Sequence, residues 1–255
     1  MKTILKVTIL PALLLGLASV AYADNITLNS SGCSSLPCTG GALQYLGSAS
    51  LNSNYSSVGL SAPTSPTSVP PTATGFMTYS VNPASSGNSV WLPAVGSSSW
   101  VSFSTTGASY NPNPAIPDDF YYYQTTFSAL GGTYDGTLSV MADDTAEVIL
   151  DAGTADALVL VNFGTVGSDG ACADHQPTCV SVDTISLNDI SLLNGVNTLT
   201  IINAQTGLSA EGVDLTTNLS QTPEPSSLLF MGTGLLGLAL VVFWKNKPSG
   251  LVLHS

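Results

Sequence analysis

Three groups of side chains in this 255-residue chain have types that can do chemistry. The first is carboxylate. Asp143 and Asp144, with Glu147 three residues on, offer hard oxygen ligands in a turn, and Ca²⁺ suits such a set, although the pattern is not the twelve-residue EF-hand loop. Asp side chains in turns more commonly bond the local backbone, so both readings stand. The second group pairs aromatics with acids: Trp91, Trp100, Tyr121 and Tyr123, with Asp118 and Asp119. Sugar recognition wants an exposed ring over a pyranose face and carboxylates or amides for its hydroxyls. Trp and Tyr in a β-sandwich are more commonly core. If 121–127 is a strand, Tyr122 faces away from Tyr121 and Tyr123, so one of those faces is core. The third group is Cys33, Cys38, Cys172 and Cys179. Two local pairs are the simplest assignment, but four cysteines allow three connectivities. Neither local pair has the spacing of a zinc ribbon, and disulfides persist in the oxidising compartment that export leads to.

Enzymatic constellations are missing. Residues 24–221 contain one histidine, His175, and no Gly-x-Ser-x-Gly elbow, His-Glu-x-x-His or Walker-type loop. A glycosidase needs a pair of carboxylates, and nothing in the spacing picks one out. The expectation is a non-enzymatic protein with no cofactor beyond a structural Ca²⁺.

Charge narrows the partners. The four basic residues are Lys2, Lys6, Lys245 and Lys247, so residues 24–221 contain no lysine or arginine, while they hold fifteen acids, the chain's sixteen less Glu224. Such a surface cannot neutralise phosphates, which excludes nucleic acid and disfavours anionic lipid headgroups. It also has no lysine or arginine for internal ion pairs. Cohesion must come from apolar burial and hydrogen bonds.

The elements that position these groups follow from patterning. Residues 1–23 read as a signal peptide: Lys2 and Lys6, an apolar 7–17, then Ala21-Tyr22-Ala23 for cleavage. Residues 24–83 form a Ser/Thr/Pro/Gly-rich segment, a linker or long surface loop, whose patches 26–28 and 42–46 fit edge strands. Residues 84–220 are expected to form the β-sandwich domain, with the strand pattern starting at Phe76. The expected strands are 76–81, 100–104, 121–127, 137–141, 147–150, 158–163, 180–187, 197–202 and 212–216, with turn signals such as Gly131-Gly132 and Asn194-Gly195 between them. Nine short strands at this spacing predict an all-β fold, one antiparallel β-sandwich or jelly roll.

The end of the chain is different. Thr222-Pro223-Glu224-Pro225 precedes an uncharged apolar run over 226–244, followed by Lys245 and Lys247. Nineteen helical residues reach about 28 Å, so a C-terminal transmembrane helix is expected, with its lysines cytoplasmic and the bulk of the protein outside.

Residues 222–247 resemble the PEP-CTERM sorting signal, with Pro223, Glu224 and Pro225 directly before the apolar run. The basic cluster departs from that family, having no arginine. The resemblance implies an exosortase-type processing enzyme as partner, an anchored or released surface location, and an exopolysaccharide setting. A second resemblance covers residues 120–217. Tyr121-Tyr122-Tyr123, Ala142-Asp143-Asp144, Gly195-Val196-Asn197-Thr198-Leu199 and Gly212-Val213-Asp214 follow the running order of galactose-binding-like jelly rolls. Asp151-Ala152-Gly153 departs from the Asn-Gly turn common there. That fold hosts sugar-binding, adhesive and inert modules alike. The leading expectation is therefore a structural or adhesive surface protein; the alternative is a carbohydrate-binding module.

Overall fold

The computed structural model describes residues 23–32, 43–50, 76–82, 91–107, 109, 114–164, 172, 176–207, 210–223 and 225–245. The signal peptide, Cys33, Cys38, His175, the Pro-rich stretch about 62–71 and Glu224 lie outside them. The chain divides into two units, Asp24–Gln221 and a second made of Met1–Ala23 with Thr222–Ser255.

Asp24–Gln221 is all-β. Its strands are β1 (Asn25–Asn29), β2 (Gln44–Ser50), β3 (Phe76–Met77), β4 (Tyr79–Ser80), β5 (Val101–Ser102), β6 (Asp119–Asp143), β7 (Thr145–Leu150), β8 (Leu158–Val161), β9 (Asp183–Ala204) and β10 (Gly212–Gln221). Every pairing is antiparallel. Of the two patches in 24–83, 26–28 lies in β1, which pairs with β10, and 42–46 overlaps the start of β2, which at Gln44 and Tyr45 is paired with both β3 and β6 and so is not an edge there. The boundary expected at 83/84 therefore does not divide the body.

The largest departure from expectation is the ribbon of β6 and β9. Gly131-Gly132 and Asn194-Gly195 were expected as turns between strands; both lie inside single strands of 25 and 22 residues that pair with each other along nearly their whole length. Gly131 and Gly132 adopt φ of 77° and 102°, and Gly195 110°, which glycine reaches without strain and which bends the ribbon without breaking its ladder. The bend is pinned from the side: Asn197 donates to the Leu193 and Gly195 carbonyls and accepts from the Leu193 amide, and the Gln221 amide donates to the Gly131 carbonyl at 2.7 Å.

Crossing the bend inverts the strand's facing. Before it, Tyr121, Tyr123 and Ala129 enter the main core; after it, Tyr134, Leu138, Val140 and Ala142 do, a switch from odd to even positions. The first half of β6 carries β2 and β3 on one side and β9 with β7 and β8 on the other, while the second half pairs with β10, which carries β1 and β5. One continuous ribbon thus contributes to both layers of an antiparallel β-sandwich, with Tyr121, Val140, Val148, Ile201 and Leu215 packed between them. Two smaller clusters cover the outer faces: Phe120, Tyr122, Ile149 and Ile202 in one, Trp91, Trp100, Met141 and Cys179 in the other. β7 is buried on both faces for this reason.

In the second unit, Pro225–Lys245 is a helix, α1, as expected. Its role as a membrane span is not supported: among the described residues no helix is long and apolar enough to cross a membrane.

Candidate functional site

The residues that carry chemical potential converge where β6 passes into β7. Asp143 ends β6, Asp144 joins the two strands, and β9 and β10 bring Asn203 and Glu211 to the same place. All four are sealed, at 1 % exposure for Asp143 and 0 % for the others. Their register follows from the ladder: Gly212 pairs with Asp143, and Asn203 with Ala146.

Glu211 is caged by neutral donors. Its Oε1 accepts from the Tyr123 hydroxyl at 2.6 Å and the Asn203 amide at 2.9 Å, and its Oε2 accepts from the Ser102 hydroxyl at 2.7 Å. Burial pushes its carboxyl up to about 7, while these three donors pull it back. Burial and the adjacent Glu211 together raise the Tyr123 phenol well above its usual value.

Asp143 and Asp144 lie in side-chain contact with each other. One oxygen of each is well served: Asp143 Oδ2 accepts from the Trp91 indole at 2.6 Å, and Asp144 Oδ2 from the Thr206 amide and hydroxyl at 2.8 and 2.6 Å. The other oxygens, Asp143 Oδ1 and Asp144 Oδ1, have no hydrogen-bond donor, and neither does Asn203 Oδ1. Burial, then the neighbouring Asp144 charge, holds the Asp143 carboxyl well above the ordinary carboxylate range; burial pushes Asp144 up to about 6 against the donors of Thr206. Two carboxyls in contact under these conditions share a proton or hold a cation.

The third acid expected here, Glu147, is elsewhere. On β7, Ala146, Val148 and Leu150 enter the main core and Ile149 the outer cluster, so alternation puts Glu147 on the outer face. Desolvation alone raises it to about 7. Asn203 and Glu211 replace it beside the pair. Their spacing of 59 or more residues from Asp144 left no local signal, and only the strand pairing brings them in.

The aromatic platform expected for sugar is corrected by burial. Trp91, Trp100, Tyr121 and Tyr123 are exposed by 5 %, 1 %, 2 % and 0 %. Trp91 and Trp100 pack on each other at 4.3 Å, and Tyr121 stacks on Phe103 at 5.0 Å. The Trp100 indole donates to the Leu92 carbonyl and the Tyr121 hydroxyl to that of Pro117. With ring faces and polar tips already used, these four offer no stacking surface. Tyr122 does face away from Tyr121 and Tyr123, yet is itself buried in an outer cluster. Asp118 is exposed and Asp119 half-buried. Cys172 and Cys179 form a disulfide, and the Cys179 carbonyl accepts from the Leu92 amide, so this staple lies over the Trp91 cluster. Although a metal-like grouping joins their sulfurs to Asp143, disulfide sulfurs are not thiolate ligands.

An open polar surface lies elsewhere. A groove of about 420 Å³ is lined by Thr27, Leu28 and Asn29 of β1, Gln44 of β2, and Gln124, Thr125 and Thr126 of β6. All but Leu28 carry an amide or hydroxyl.

Comparison with known proteins adds the following. Residues 221–243 match the PEP-CTERM protein-sorting motif. No curated protein matches the chain. Among solved structures, the chain is similar to a GH26-CBM35 β-(1,4)-mannanase of Podospora anserina, with 16 % identity and TM-score 0.29 over 53 % of this chain and 24 % of the mannanase. It is similar to a family 35 carbohydrate-binding module from Clostridium thermocellum, with 13 % identity and TM-score 0.28 over 51 % and 83 % of the two chains. A CBM36-1 domain of a multidomain xylanase from the hindgut metagenome of Trinervitermes trinervoides is similar at 7 % identity and TM-score 0.28, over 78 % and 98 %. At TM-scores below 0.3, ligand chemistry has to be read from the site itself.

Proposed function

We propose that this chain is an exported surface protein without catalytic activity, delivered through its PEP-CTERM tail to an exosortase-type processing enzyme. Its β-sandwich serves as a structural or adhesive component of the cell surface or of an exopolysaccharide matrix. The observation that carries this is the sorting motif, which begins at Gln221, the last residue of β10, so the signal follows the body without a further domain between them. A body without lysine or arginine offers no cationic patch for the polyanions of such a matrix to bind. The sealed Asp143, Asp144 and Glu211 present no face to a substrate, which supports a non-enzymatic role. Fractionation of cells with and without the exosortase tests it. The expected result is a smaller, surface or extracellular form in the competent strain only; the same mass and location in both strains would overturn it.

A second reading, glycan binding, is favoured by the groove between β1, β2 and β6. Amides and hydroxyls with no cation fit a neutral polyhydroxylated ligand. Gln44→Ala and Gln124→Ala should each weaken binding to a soluble glycan by about tenfold. A blank glycan array at high protein concentration removes this reading and leaves the sorting proposal intact.

A further inference from the structure

We propose that Asp24 and Gln221 form a clasp that tightens when the signal peptide is removed after Ala23, and that this clasp positions the sorting motif for its processing enzyme. The inference rests on the sorting reading above and on cleavage at that bond. Gln221 is both the last residue of β10 and the first residue matched by the motif, while Asp24 directly precedes β1. The two ends of the body therefore meet at one place.

Chain ends usually fray unless something ties them down. Here the ties are specific. The Asp24 carbonyl accepts from the Gln221 backbone amide at 2.8 Å, and Asp24 Oδ2 accepts from the Tyr134 hydroxyl at 2.9 Å and the Leu130 backbone amide at 3.3 Å. The Gln221 side chain is a bridge: its Oε1 accepts from the Asp24 backbone nitrogen at 3.4 Å, and its Nε2 donates to the Gly131 carbonyl at 2.7 Å. A flipped amide would set oxygen against that carbonyl, which is never a donor, so the orientation is fixed. Gly132 leaves the room for it, since a Cβ there would come within 3.3 Å of Nε2. Both ends are thus fastened to the ribbon bend.

The longest of these contacts, at 3.4 Å, is the one that cleavage changes. In the joined chain the Asp24 nitrogen is a peptide N–H with one proton. Cleavage turns it into an ammonium with three, free to turn toward Oε1, and charge-assisted hydrogen bonds are shorter and about twice as strong as neutral ones. Residues 24–221 hold no lysine or arginine to compete for that oxygen. Gln221 is then held firmly, and Pro223-Glu224-Pro225 follow it after Thr222 alone. An enzyme reading the motif meets it at a set distance from the folded body. Gln221 acts here as a positioning residue and takes no part in bond cleavage.

The test uses the exported chain purified from cells with and without the exosortase. Amino-terminal sequencing should begin at Asp24, and any other start overturns the clasp. In the chain from cells lacking the enzyme, the Asp24 amine is the only primary amine before Lys245, so an amine-reactive reagent compares the two within one molecule. Relative to Lys245, Asp24 should label about fivefold faster in Gln221→Ala than in the wild type, as expected for the loss of one hydrogen bond. Equal ratios overturn the clasp. In cells with the enzyme, Gln221→Ala should be processed about fivefold more slowly while melting within about 3 °C of the wild type. A merely structural role would lower the melting temperature without slowing processing, so a wild-type rate overturns the positioning role. A wild-type chain that is not processed at all overturns the sorting reading and the positioning role with it, and the labelling ratio still decides the clasp. Where Gln221→Ala does not fold, Tyr134→Phe, which removes a hydrogen bond to Asp24, is read in the same way.

Discussion

Glu211 and the Asp143/Asp144 pair are two solutions to burying negative charge in a body with no lysine or arginine. Glu211 is surrounded by neutral donors from three strands, β5, β6 and β9, so both its oxygens are served. The aspartates face one another, each with one oxygen served and one not. The difference lies in geometry rather than depth, because all three are at or below 1 % exposure. Hydroxyls and amides suffice to hold a lone carboxylate; a touching pair needs a proton or a metal as well.

The sharpest way to break this contrast is Glu211→Leu. It strands the Tyr123 and Ser102 hydroxyls and one donor of Asn203, and should destabilise the fold by about 4 kcal/mol in chemical denaturation. A loss under 1 kcal/mol would mean the cage contributes little. pH gives the next largest effect. Glu211 and Glu147 are raised to about 7 from 4.5, so between those values the folded state binds more protons than the unfolded chain. Stability is therefore highest below about pH 4.5 and falls as pH rises toward 7, by up to about 3 kcal/mol for Glu211. Melting curves from pH 4.5 to 8 check the sign, and a stability that climbs over that range would refute the assignment. Trp91→Phe removes the donor of Asp143 and thins the contact with Trp100; a loss of about 2 kcal/mol is expected in chemical denaturation. At the bottom of the scale stands the open groove. Gln44→Ala there should change stability by no more than about 0.5 kcal/mol, because its exposed amide has water as an alternative partner.

Much of the architecture was legible in local pattern. The expected strands 147–150 and 212–216 fall within β7 and β10, and the apolar patches 26–28 and 42–46 fall within β1 and across the start of β2. Gly131-Gly132 and Asn194-Gly195 were misread as ends of strands, since a glycine pair signals positive φ without saying whether the partner strand bends in step. It does, because the two bends face each other across the ladder at Leu130 and Asn194. The acid site was half legible. The Ala-Asp-Asp run marks the pair, but Asn203 and Glu211 share no motif with it, and Glu147, the obvious third member by proximity, is turned away by the two-residue period of a strand.

By itself the sequence determined the chain's class and its restrictions: an all-β body, a sorting tail, and an interior that neither lysine nor arginine can neutralise. These are properties of composition and local period, which no folding step alters. Tertiary structure alone decided that the four aromatics fill the interior, that one ribbon serves both layers, and that Asp143 and Asp144 meet Asn203 and Glu211. Those facts depend on which strands pair and in which register, and register is set by burial summed over the whole sheet.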